Sequence, residues 1–143
     1  MKKTLSTLCA SMILIMLFAQ TVFASSYSTT LRMSAGTYQY CSNNFRKFDG
    51  NSVTMSMTLR ASECKYSKNS DCKLKASFYR KRFLGLGKSL ISYRIYPVGY
   101  SSSTWQNVGA DSYVWSFEKI CGDARDRLYH AVYNSNNIVM KSK

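Results

Sequence analysis

The stretch "SVTMSMTLRA", residues 52–61, places Val53, Met55, Met57, Leu59 and Ala61 at alternate positions and Ser52, Thr54, Ser56, Thr58 and Arg60 between them. Successive side chains of an extended chain point to opposite faces, so this pattern lines one face with apolar groups and the other with hydroxyls. It is the signature of a half-buried strand. A helix would repeat its apolar positions every three to four residues.

The same period recurs on both sides. "KLKASFYRK", residues 73–81, sets Leu74, Ala76 and Phe78 against Lys73, Lys75, Ser77, Tyr79 and Lys81. "SLISYRIYP", residues 89–97, is read with Ile91, Tyr93 and Ile95 inward and Leu90, Ser92, Arg94 and Tyr96 outward. In "DSYVWSFEKIC", residues 111–121, Tyr113, Trp115 and Phe117 form a bulky inward row. Shorter strands are expected at Tyr27–Met33, Thr37–Cys41, Leu128–Tyr133 and Ile138–Lys141, with "NSNN" (134–137) as the turn between the last two. Residues 123–133 also fit a helix, with Leu128, Ala131 and Val132 on one face and Asp123 as cap; strand is preferred. Many short strands, one proline and no alternation with helices predict an all-β fold, an antiparallel β-sandwich or barrel of about seven to eight strands.

At the amino end, Lys2 and Lys3 precede an apolar run, Met12–Ala19, and Val22-Phe23-Ala24 matches what a signal peptidase accepts. Residues 1–24 therefore read as a signal peptide to be removed, and residues 25–143 as a single secreted, extracellular domain. Such an exit also sets the redox reading. Of the five cysteines, Cys9 leaves with the peptide; Cys41, Cys64, Cys72 and Cys121 remain, an even number that reads as two disulfides in an exported chain. Cys64 and Cys72 bracket the polar loop "KYSKNSD" and are expected to pair, which leaves Cys41 to Cys121. Neither metal nor cofactor is expected, because the spacings contain no close CxxC pair and His130 is the only histidine.

The net charge is +13, or +11 once Lys2 and Lys3 are gone. A charge of this size favours anionic partners: teichoic acid, acidic polysaccharide, extracellular nucleic acid or anionic lipid. "RFLGLGKS", residues 82–89, ends like a phosphate-binding P-loop, but Arg82 stands where that motif needs its first glycine and a strand follows instead of a helix. Gly85 and Gly87 read instead as the turn of a β-hairpin. Its exposed face is expected to carry Lys73, Lys75, Lys81, Lys88 and Arg94 with Tyr79 and Tyr96 among them, a basic ribbon with aromatic rings that can neutralise and stack on a polyanion. In the stretch "PVGYSSSTWQNVGAD", residues 97–111, Tyr100 and Trp105 are candidate loop contacts, although for Trp105 the preferred reading is a buried ring that opens a strand with Gln106–Val108.

These features point to a non-enzymatic, basic secreted protein that binds anionic polymers or cell-envelope surfaces. The alternative is an antimicrobial or toxin-like protein acting on anionic membranes. An extracellular ribonuclease would need His130 with Glu63 or Glu118 and an arginine such as Arg125 or Arg127, and no spacing joins them.

Overall fold

The computed structural model describes residues 25–42, 44–82 and 87–143. The signal peptide expected at residues 1–24 and most of the expected turn, residues 83–86, lie outside them. Nine strands form two antiparallel sheets. The first carries β1 (Ser26–Met33), β9 (Val132–Ser142), β4 (Val53–Ser62) and β7 (Gly99–Trp105), in that spatial order. The second orders β2 (Gln39–Cys41), β8 (Asp111–Ile120), β5 (Lys73–Lys81) and β6 (Lys88–Pro97), with β3 (Arg46–Phe48) also paired to β8. The sheets stay open, so the sandwich reading holds and the barrel does not.

The alternating sequences behave as their period dictates. Val53, Met55, Met57 and Leu59 are buried from the first sheet, and Leu74, Ala76, Phe78, Tyr113, Trp115 and Phe117 from the second. The layers meet at Phe78, whose ring centroid lies 4.8 Å from Trp105, 4.7 Å from Tyr113 and 4.7 Å from Trp115. β5 and β6 pair as the expected hairpin, with Lys81 opposite Lys88. Gly87 closes it at φ +88°, a conformation that suits glycine because it lacks a Cβ. Lys88 and Ser89 open a strand, which removes the P-loop reading.

Three local expectations are corrected. The expected loop after Pro97 contains β7, which pairs along β4 from Val53–Trp105 to Leu59–Gly99. "NSNN" is no turn: β9 runs through it, and its pairing with β1 and with β4 shifts register there. Residues 124–130 are a short helix, Asp126–His130 being π-helical, so β9 begins only at Val132. Asp126 fastens this segment to the rest of the fold. Its buried carboxylate accepts the backbone N–H groups of Lys65 (2.7 Å), Tyr66 (2.9 Å) and Ser67 (2.5 Å), tying the β4–β5 connection to the approach of β9.

No helix among the described residues is long and apolar enough to cross a membrane.

Burial by itself would raise the Asp126 pKa, but the three backbone donors outweigh it and hold the carboxyl below its ordinary value of 3.8. Its stabilisation is therefore complete above that value and is lost as pH falls through the lower folded one. Asp126→Asn should cost about 1–3 kcal/mol at neutral pH, because buried donors are left poorly matched. Urea unfolding from pH 7 down to pH 2 should show a smaller acid loss in the variant than in the wild type. Equal midpoints at neutral pH would refute this role.

Candidate polyanion-binding face and cysteine cluster

The outer face of the second sheet follows from register. Lys73, Lys75, Ser77, Tyr79 and Lys81 alternate with the buried row of β5 and point outward. Opposite them on β6 stand Pro97, Ile95, Tyr93, Leu90 and Lys88. The pairing steps from Phe78–Ser92 to Tyr79–Leu90, so Ile91 is an extra residue in β6. A one-residue insertion reverses the side-chain phase beyond it. Before the bulge Lys88 and Leu90 face outward as expected; after it Tyr93 (50 % exposed) and Ile95 (47 %) do, while Tyr96 is fully buried.

The expected stripe therefore divides. Lys73, Lys75, Tyr79, Lys81 and Lys88 share one face, but Arg94 and Tyr96 leave it. Tyr96 donates its hydroxyl to the Met55 carbonyl across the sandwich at 3.3 Å, and burial pushes its pKa up to about 12. Arg94 holds its guanidinium 5.6 Å from the Trp105 ring and donates to the Thr104 carbonyl at 3.3 Å. Two rings on the outer face are topped by cations, Tyr79 by the Lys88 ammonium at 4.5 Å and Tyr93 by that of Lys75 at 5.2 Å. Tyr93 was missed because its role depends on the bulge.

Lys75 is the least available of these cations. It bonds the Glu118 carboxylate at 3.1 Å, an interaction that raises the lysine pKa. The Tyr38 hydroxyl, with Lys75 next, lowers that of Glu118. Lys73, Lys81 and Lys88 make no ion pair among the described residues.

On the opposite outer face, Tyr100 is exposed on β7 and shares a groove with Thr54, Ser56, Ser102 and Lys141. Trp105 is buried, so of the two loop candidates only Tyr100 is available to a ligand. The residues of the ribonuclease alternative are brought together only in part. Glu63 and His130 line one shallow depression, Glu118 is engaged by Lys75, and Arg125 is paired with Asp123 at 2.8 Å.

All four described cysteines are free thiols. Cys64, just beyond β4, lies 3.2 Å from Cys72, just before β5; Cys72 lies 3.3 Å from Cys121, just after β8. The adjacency expected of Cys64 and Cys72 is present, although their separation exceeds a disulfide bond of about 2.05 Å. The expected Cys41–Cys121 pair is not compatible with this register. Cys41 sits opposite Ser116 on the outer face, and the rise of a strand carries Cys121 about 17 Å farther along β8. Burial pushes the thiols of Cys64 and Cys72 up and that of Cys121 to about 11.

No family model matches the chain, and no curated protein matches its sequence. Among solved structures it is similar to a chain described in the words "Bacillus endospore appendages form a novel family of disulfide-linked pili", with a TM-score of 0.37, 10 % identity, and coverage of 84 % of this chain and 88 % of that one.

The placement of Arg94 separates packing from binding. Arg94→Gln should lower unfolding stability by about 1 kcal/mol, through loss of the indole contact and the bond to Thr104. It should leave the salt dependence of polyanion binding unchanged. Chemical denaturation and binding titrations on the same variant check both, and a shallower salt slope would return Arg94 to the binding face.

Proposed function

We propose that the protein is exported and, without catalysing a reaction, binds anionic polymers of a cell envelope or extracellular matrix through the outer face of the second sheet. The supporting observation is the arrangement on that face: Lys73, Lys81 and Lys88, without carboxylate partners among the described residues, beside the cation-topped rings of Tyr79 and Tyr93. Ammonium groups at strand spacing can replace the counterions of a phosphate or sulfate chain, and the rings offer flat surfaces to sugars or bases. Antiparallel pairing on a packed core holds these groups in place before any ligand arrives.

A second reading, action on anionic membranes, is favoured by a different feature. Leu90, Tyr93 and Ile95 are about half exposed on β6 beside the same lysines, so this edge combines apolar and cationic groups. Leakage of anionic vesicles at protein concentrations that leave neutral vesicles intact would support this reading. Retention on a polyanion without leakage would support the first.

The polyanion reading predicts a salt series. Binding to heparin or single-stranded DNA should weaken linearly in log–log form as salt rises, because condensed counterions are released. Replacing Lys73, Lys81 and Lys88 together by Gln should make that slope shallower by roughly two to three units. Folding should change little, since exposed substitutions usually shift stability by about 0.5 kcal/mol or less. Tyr79→Ala should weaken binding while preserving the slope. Identical curves for the triple variant and the wild type would remove this face from the reading.

A further inference from the structure

Three sulfurs converge at one end of the sandwich, next to a buried cation. The Sγ atoms of Cys64, Cys72 and Cys121 all lie within 4.8 Å of one another. Each stands at or just beyond a strand end, and the chain after Cys64 is held by the three N–H bonds to Asp126. Lys119 occupies the inward row of β8 and is fully buried. Its ammonium donates to the Ser34 carbonyl at 2.8 Å and to the Ala131 carbonyl, and it pairs with no carboxylate among the described residues. It lies 5.7 Å from the Tyr133 ring, whose hydroxyl is 3.1 Å from the Cys121 sulfur.

A buried ammonium without an anion is costly. Cys121, two residues farther along the chain and in contact with the hydroxyl of the same Tyr133, is a group able to supply negative charge. We infer that Cys64, Cys72 and Cys121 form a site for one thiophilic divalent cation, Zn²⁺, with Lys119 as its buried countercharge. The convergence of three sulfurs carries the site, and the charges agree with it: a divalent ion on three thiolates carries one net negative charge toward the Lys119 ammonium, while the Asp126 carboxylate is held by its own three backbone N–H groups. A monovalent ion would leave one negative charge over, and a disulfide with a leftover thiol would supply none.

The spacing agrees. Sulfurs about 2.3 Å from a tetrahedral Zn²⁺ stand about 3.8 Å apart, so the two short contacts need to open by about half an ångström and the third separation, within 4.8 Å, to settle at the same value. Three protein ligands leave the fourth position to a solvent molecule. The ligands are scattered along the chain, from the β4–β5 connection and the end of β8, which is why no CxxC spacing announces them. This inference is independent of the polyanion reading.

The test uses the protein purified under reducing conditions and titrated with Co²⁺ as a visible probe, then with Zn²⁺. About one ion per chain should bind, with the sulfur-to-cobalt charge-transfer absorption of thiolate ligation, and Zn²⁺ should abolish that absorption. Cys41→Ser should behave as the wild type, and Cys72→Ser should lose the absorption. Lys119→Met should weaken Co²⁺ binding by about tenfold or more, because a compensating charge in a dry site is removed. A wild-type protein that shows no thiolate absorption with Co²⁺ and instead oxidises to one disulfide with a single alkylatable cluster thiol would overturn the inference, whatever the variants do. So would equal loss of absorption in Cys41→Ser, or undiminished affinity in Lys119→Met.

Discussion

Phe78 is where the two sheets hold each other. Its ring meets Tyr113 and Trp115 from the neighbouring strand of its own sheet and Trp105 from the facing one, all with centroids within 4.8 Å. Aromatic pairs of this kind add roughly 0.5–1.5 kcal/mol each beyond the area they bury. The contact also reaches outward. Trp105 is drawn into the core, which commits the serine-rich segment before it to pairing with β4 as β7. Arg94 then lies over the indole ring and is taken off the solvent face.

The bulge at Ile91 decides which side chains a ligand can meet. Without it, β6 would present Arg94 and Tyr96 outward and bury Tyr93 and Ile95. With it, two potential ligand contacts become packing groups, and an exposed tyrosine appears under the Lys75 ammonium. β6 tolerates this because it is an edge strand. Its inward row needs only the Tyr96 ring in the interior, while the Arg94 guanidinium remains near the rim where water reaches it.

At the other end of the sandwich the interior is polar. Lys119 continues the inward row of Tyr113, Trp115 and Phe117, and Asp126 faces into the connection between β4 and β5. The two charges are satisfied differently. Asp126 collects three backbone N–H groups, which lower its pKa against the effect of burial. Lys119 finds two carbonyl oxygens, and desolvation pushes its ammonium below the ordinary lysine range. Lys119 thus has no carboxylate partner among the described residues, and the three thiols converge at the same end of the sandwich.

Period-two alternation by itself determined the all-β class, the buried rows of β4, β5 and β8, and the lysine-bearing outer face of β5, because each strand carries only two faces and one was plainly apolar. It could not assign β6, where both rows mix apolar and polar groups and a single extra residue reverses them. Nor could it see β7, whose Gly-Tyr-Ser-Ser-Ser-Thr sequence has weak strand character and which ends on the buried Trp105. Cysteine parity suggested pairs, whereas register gathered three thiols and left Cys41 on the outer face. The position of one sulfur relative to another is set by strand pairing between residues far apart in the chain, and only the tertiary structure holds that information.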